Sequence, residues 1–556
     1  MEESIRNRNM GEVYTPSTVA DLLFKTVQEA RPEFNKTDTV WDCCWGTGNL
    51  TKGQEFDKLF CSTLRAVDIR KNRKSNPNAV KFAYDFLNSD VRRLESRHAM
   101  LSTESSLSEE LENALMNNEP VTFYINPPYV TTYTADNVKN SSSDIDERGS
   151  DTYSDVKELM IKNGLGKSSD QLYLQFLYKI IMIKRAYNNS NIRIALISPL
   201  MFLTGPSLKD FRDEFLSEFH LENAYVFQAN EFSGLSNAYG LGTMFWDCGE
   251  QKDRNNFNFK VVQDFNNLNN LEIKKVYNLD NQKTLGQYLR ETQDKNSIKA
   301  EYTATSGAKV YNDNPNSVYI SPNSLGYFFF KANNTYHYKD CGIMNIAYRA
   351  GCGVDVTESN ADLCIASASA RICTGRYGRG WIDDKDEFAV PDVNSPEWRR
   401  LVLNCYMYIQ FTGQTHLASI EFNGKEFPNN FFHLSYEYMD ALFKKYGAEI
   451  KSPEPREDTI AVKRLKELFA EPELIYPNGK ELWQAGLKMW DDTMERRLNG
   501  FADPMYQVER WDAGFYQIKQ LTKDDTKMIY LKEFNKIFRE YEVYIREAVY
   551  KVGFIR

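Results

Sequence analysis

The residues with the most specific chemistry in this chain are Asn126-Pro127-Pro128-Tyr129, which follow directly on the apolar run Val121-Thr122-Phe123-Tyr124-Ile125. Two successive prolines there cannot continue a sheet, because neither has an N–H to donate. They hold a rigid, extended stretch whose carbonyls point outward. The side-chain oxygen of Asn126 and the backbone carbonyl of Pro127 are two acceptors. Together they can take both hydrogens of an aromatic amine and turn its nitrogen lone pair toward an electrophile. Tyr129 adds a flat face on which a heterocycle can stack.

A second group lies earlier, in Asp42-Cys43-Cys44-Trp45-Gly46-Thr47-Gly48-Asn49, behind the short run Thr39-Val40-Trp41. Gly46 and Gly48 placed just after a strand let the backbone turn tightly and leave room for a ligand against it. A plain strand-to-helix turn reads the same way. Asp68, ending a stretch Leu64-Arg65-Ala66-Val67 read as a strand, stands at about the separation at which an acid meets a ribose. Asp85 follows the run Val80 to Tyr84 and can accept from an adenine amine. Each acid on its own also fits an ordinary solvated strand end or turn.

The elements that must position these groups alternate between strands and helices. Thr15-Pro16 ahead of Val19, Leu22, Leu23, Val27 and Ala30 predicts a helix with Thr15 as its cap and Pro16 in its first turn. Strands are expected at residues 39–42, 64–68, 80–84, 121–125 and 192–197, and an apolar helix at 171–182. This pattern predicts an α/β domain with a mostly parallel sheet covered on both faces, and such sheets bind ligands at the carboxyl ends of their strands. The polar stretch at 140–155 reads as a loop. Asparagine pairs at 255–256, 266–267 and 269–270 mark a change of composition. The domain boundary is therefore expected near there, giving a catalytic domain at 1–254 and a mixed α+β domain at 255–556. Within the latter, strand-like pieces are expected at 348–353 and 375–381, and helices at 401–411, 459–469 and 532–549.

Bulk composition sets wide limits. With 556 residues the chain exceeds what one core organises, which implies about two to four domains. No apolar run approaches the ~20 residues that cross a bilayer. The start Met1 to Arg6 carries both charge signs without an apolar stretch, so no signal peptide is expected and the cytoplasm is. Nine cysteines without a C-x-x-C pair argue against a disulfide framework or zinc ribbon, and five isolated histidines suggest no metal site. A net charge of −9 argues against nonspecific coating of nucleic acid, but a local basic groove is compatible with it.

Taken in order, these groups resemble the gamma-class N6-adenine DNA methyltransferases. Tyr14-Thr15-Pro16 resembles the cofactor segment that precedes the glycine loop in that class. Asp42 to Gly48 matches the loop, Asp68 the ribose acid, Asp85 the acid near the cofactor's adenine, and Asn126 to Tyr129 the catalytic tetrapeptide. Asp170-Gln171-Leu172-Tyr173 resembles the helix segment that closes over the cofactor. Ser198-Pro199 and Phe202-Leu203-Thr204-Gly205 resemble the fifth strand and following helix. Phe232, in Glu231-Phe232-Ser233-Gly234, matches the aromatic that packs on the flipped base. The resemblance covers about residues 10 to 250. Two departures stand out: the bulky Cys43-Cys44-Trp45 before the first glycine, and the long stretch from Tyr129 to Asp170.

The resemblance implies a Rossmann-like domain that uses S-adenosyl-L-methionine, without a metal, to methylate N6 of an adenine flipped out of double-stranded DNA. Residues 255–556 would then form the target recognition domain, with Arg371, Arg376 and Arg379 as candidates for phosphate or base contact; a solvated loop reads the same three residues equally well. Lys463, Arg464 and Lys466 read as a solvated helix face. A separate restriction nuclease, another defence-system subunit or no partner subunit at all stay open; no nuclease signature is read in the chain itself. An RNA adenine methyltransferase, a protein-glutamine methyltransferase and a noncatalytic DNA-binding subunit stay open as alternatives. The tetrapeptide alone satisfies adenine and glutamine equally.

Overall fold

The computed structural model describes residues 14–96, 107–132, 149–150, 154–233, 235, 239–296, 298–299, 319–330, 333–335, 341–344, 353–377, 380–383, 386–412, 419–422, 425–428, 460–498 and 528–556. The chain divides into two compact units, Met1–Asp280 and Asn281–Arg556. No described helix is long and apolar enough to cross a membrane.

The first unit is built on a nine-stranded sheet. Its strands are β1 (Thr39–Asp42), β2 (Lys58–Thr63), β3 (Val80–Ala83), β4 (Val121–Ile125), β5 (Ile192–Pro199), β6 (Phe219–Gln228), β7 (Gly240–Cys248), β8 (Asn256–Val262) and β9 (Ile273–Tyr277). They lie in the order β9-β8-β6-β7-β5-β4-β1-β2-β3. β1, β2, β3, β4 and β5 run parallel, whereas β7 runs antiparallel to both β5 and β6. β1 and β4 are buried along their whole length, as expected of central strands covered on both faces. Strand order reverses at β1, with β2 on one side and β4 on the other. The crevice outside the carboxyl ends of β1 and β4 is therefore the topological switch point.

Helix α1 (Ser17–Ala30) packs Val19, Leu22, Leu23 and Val27 onto one face of this sheet, in a core that includes Phe34, Tyr124, Phe227 and Phe245. Its N-cap is Pro16 and no side chain caps it, so the expected Thr15 cap is not made.

The expected second strand is corrected. Lys58–Thr63 forms β2, and Ala66–Lys71 is a short helix, α2, with Ala66 and Val67 exposed. Ser62 satisfies its buried polar atom by accepting from the Trp41 indole at 3.0 Å, which lets a Cys-Ser-Thr run serve as a central strand.

The boundary also moves. The run Asn256-Phe257-Asn258-Phe259-Lys260-Val261-Val262 alternates, burying Phe257, Phe259 and Val261, and pairs parallel with β6. Ile273–Tyr277 then pairs antiparallel with it, so the first unit continues to Asp280 and does not stop at 254.

In the second unit, β10 (Gly326–Phe330) pairs antiparallel with β11 (Cys341–Met344) and β12 (Gly353–Val356). Helices Ala361–Tyr377, Pro396–Gln410, Ile460–Ala470, Gly479–Leu498 and Met528–Lys551 make up most of the remainder described. The first of these takes up 375–377 of the strand expected at 375–381, and a 3₁₀ turn follows at Gly380–Ile382, with 378–379 outside the described residues. Most of the stretch at 348–353 lies outside the described residues.

Arg371 is a further correction. It is buried, with its guanidinium carbon 4.5 Å from the Phe330 ring centre and 4.7 Å from that of Phe388. It also donates to Asn333 Oδ1 at 3.2 Å. Stacked between two rings, it cannot reach a phosphate. Arg376 closes the same helix, and Arg379 lies outside the described residues. Arg464 is committed to Asp362 and Glu467.

Candidate active site

β4 ends at Ile125, and the prolines carry the chain out of the sheet just where β1 ends beside it. Asn126 is held on both sides of its amide. Its Nδ2 donates to Thr15 Oγ1 at 2.8 Å, and its Oδ1 accepts from the Tyr129 phenol. The same phenol lies 3.1 Å from the carbonyl of Ile197 in β5. Burial pushes the phenol well above its ordinary range, so it remains a donor. The Tyr129 ring meets Tyr173 edge-on, with centroids 6.5 Å apart.

At the end of β1 the arrangement is different. Asp42 is fully buried; its Oδ1 accepts the Cys44 amide at 3.2 Å, the Cys44 side chain also bonds to the carboxyl, and Oδ2 has no partner at ordinary hydrogen-bond geometry. Burial pushes its carboxyl up to about 8. Gly46 and Gly48 then adopt φ of +50° and +76°, which a glycine takes without strain. A Cβ on Gly48 would come within 2.8 Å of the Trp45 indole, so the loop closes onto that ring. Trp45 is buried beneath it, with its Nε1 also unpartnered.

A cavity of about 400 Å³ opens over both strand ends. Its walls bring together Tyr14, Thr15, Gly46, Asp68, Asp85, Asn126, Pro127, Pro128 and Tyr129, drawn from positions more than a hundred residues apart. Asp68 reaches it from the first turn of α2, where Arg65 Nε holds its Oδ2 at 2.9 Å. Asp85 organises the turn after β3. Its Oδ1 accepts the amides of Leu87 and Asn88, both at 3.2 Å, and its Oδ2 the Asn88 side chain at 2.8 Å. Asp42 and Gly48 are not among the residues that line the cavity. Phe232 does not reach it: the ring is 0 % exposed and stacks on Phe227 at 6.3 Å within the core, so it has no free face for a base.

Sequence reasoning missed the layer behind the tetrapeptide. Helices α3 (Asp155–Lys162) and α4 (Leu172–Tyr187) carry it. Lys157 is buried and donates to the Thr132 carbonyl and hydroxyl, both at 2.9 Å, and to Asp170 at 3.2 Å. Backbone bonds from Leu172 to Val130 and from Thr132 to Asp170 fix the same stretch. Asp170, expected near the cofactor, instead ties down the chain that follows Tyr129, while Leu172 and Phe176 of α4 line the cavity. A lysine flanked by Val156, Glu158 and Leu159 gives no signal of burial; only the partners identify it.

No known protein family matches the chain, and no curated protein does. Among solved structures it is similar to the ATP-dependent Type ISP restriction-modification enzyme LlaBIII bound to DNA. The identity is 10%, over 98% of this chain and 47% of that one, with a TM-score of 0.38. It is also similar to the DrdV–DNA complex, at 13% identity over 59% of this chain and 36% of that one, TM-score 0.33. A third is the type I restriction-modification methyltransferase subunit from Streptococcus thermophilus, at 14% identity over 45% and 46%, TM-score 0.27. The chain spans less than half the length of each.

Proposed function

We propose that the chain is an S-adenosyl-L-methionine-dependent methyltransferase that modifies N6 of adenine in double-stranded DNA. The observation that carries this reading is the pair of strand ends facing one cavity. One presents the glycine loop, with the buried Asp42 and its unpartnered oxygen at the loop's start, and the other an amide oxygen beside a proline carbonyl and an aromatic ring.

The residues fit the cofactor. Asp42, held protonated by burial in the empty site, can ionise against a cationic group, the glycine loop offers its backbone, and Asp68 and Asp85 offer acceptors along the wall. When bound, S-adenosyl-L-methionine supplies an already activated methyl group on its sulfonium. The protein then needs to supply position and charge complementarity. Asn126 Oδ1 and the Pro127 carbonyl accept the two N6 hydrogens and gain strength as that nitrogen becomes positive in the transition state. Tyr129 offers its ring to the extracted base, offsetting part of the few kcal/mol that unstacking costs. We assign base and phosphate contact to residues 281–556 as a target recognition domain, with Arg376 and Arg379 as its remaining candidates. A separate restriction nuclease or another defence-system subunit is a candidate partner of such an enzyme.

Asn126→Ala tests the reading. Methyl transfer to unmodified genomic DNA should fall at least ~1,000-fold while cofactor binding by calorimetry is kept. Sequencing that detects N6-methyladenine should find it only with the unsubstituted protein. Near-normal transfer by Asn126→Ala, or modified RNA in place of DNA, overturns the assignment.

A further inference from the structure

We propose that Thr15 is a positioning residue: its hydroxyl holds the Asn126 amide so that the amide oxygen faces the incoming amine. This rests on the reading of the cavity as an amine methyltransferase site. An asparagine amide rotates about a broad, roughly two-fold terminal torsion, and its two ends are alike in shape but opposite in polarity. With only Cβ to fix it, the amide would sweep a wide arc and hold its oxygen in line with the amine only part of the time. Two prolines follow Asn126 and have no backbone N–H to restrain it.

Thr15, 111 residues earlier, supplies the restraint through a 2.8 Å contact to Nδ2. It is 8 % exposed, and no side chain caps the helix that follows it, so its hydroxyl is not spent on that helix. The two bonds to the amide differ in kind. The Tyr129 phenol occupies Oδ1, but Ile197 gives it a second acceptor at 3.1 Å. It can turn there when an amine takes its place. The Thr15 bond is on the nitrogen, away from the reacting side, and stays in place as substrate enters. Thr15 therefore acts on the rate through Asn126, separately from any contact it makes with the cofactor.

The test compares Thr15→Val, which keeps the shape and removes the hydroxyl, with Thr15→Ser, which keeps the hydroxyl. Transfer to unmodified genomic DNA is measured at saturating cofactor, alongside cofactor affinity by calorimetry and thermal unfolding. Thr15→Val should lose ~10- to 100-fold in kcat, with cofactor Kd within about threefold, since a misplaced reacting group costs rate and not ground-state binding. Thr15→Ser should recover to within about threefold of the unsubstituted chain. Should Thr15→Val fail to fold, Thr15→Ala against Thr15→Ser gives the same comparison. An unchanged kcat with only weakened cofactor binding makes Thr15 a cofactor contact and overturns the proposal. So does a Thr15→Ser protein as slow as Thr15→Val. An unsubstituted chain that transfers no methyl to DNA overturns the functional reading itself, and the proposal with it.

Discussion

The carboxyl ends of β1 and β4 are hydrogen-bonded neighbours, yet they treat their polar groups in opposite ways. At β4 every polar atom of the Asn126 amide has a partner from the chain. At β1 Asp42 is buried with one oxygen unmatched and Trp45 with its indole N–H unmatched. Buried polar groups are normally paired, so the β1 end carries a cost that the β4 end does not. The difference teaches a division of labour. On the proposed reading, β4 is organised in advance and exchanges one phenol for the substrate amine, whereas β1 is left incomplete for a positively charged ligand to complete.

The largest test of this contrast is Asp42→Asn. Burial keeps Asp42 protonated in the empty site, and a cationic ligand draws that proton off as it binds. An asparagine cannot ionise in this way, so the substitution should weaken S-adenosyl-L-methionine binding ~100-fold by calorimetry, with transfer at saturation nearly kept. Unaltered affinity would show that β1 is not the charge receptor.

A smaller effect follows from pH. Burial raises the Asp42 carboxyl to about 8 in the folded chain, whereas an unfolded aspartate titrates near ~3.9. The folded state thus holds a proton that the unfolded state releases. The stability this gives is full below about pH 4 and is lost as pH rises toward 8, by up to ~1.4 kcal/mol per unit. Unfolding midpoints of the cofactor-free protein should fall between pH 5 and 8, and Asp42→Asn should flatten that slope. A slope equal in both proteins places the buried proton elsewhere.

The smallest effect is expected at the prepared end. Tyr129→Phe removes only the exchangeable phenol and should change kcat by less than about tenfold, because the ring remains to stack. A loss as deep as that of Asn126→Ala would mean that the phenol, too, takes part in holding the substrate.

The two ends were also unequally readable from sequence. β4 and β1 announce themselves as short apolar runs followed by proline or glycine, since central parallel strands are buried on both faces. Their bounds, 121–125 and 39–42, match the expectation. Asp68 was placed on the cavity wall but on the wrong kind of element. The hydrophobic alternation of Leu64 to Val67 imitates a strand, while the real strand hides its burial behind Cys61, Ser62 and Thr63. Phe232 and Arg371 failed for a shared reason. Residue type alone does not say whether an aromatic has a free face or whether a guanidinium lies between two rings. The partners that decide it, Phe227, Phe330 and Phe388, are fixed only by folding. Thr15 and Asn126 meet across 111 residues, and no local pattern encodes such a pairing.

One side chain in the layer behind the tetrapeptide bears on how this protein can change over evolutionary time. Gln175 in α4 receives the Ser154 hydroxyl at 2.7 Å and donates to the Thr132 hydroxyl at 3.3 Å. Thr132 and Ser154, far apart in sequence, are thereby tied to one helix through a single side chain. An apolar replacement at position 175 would release both ties at once and leave two buried hydroxyls to find other partners. This glutamine is therefore much less free to drift than its place in an apolar helix suggests.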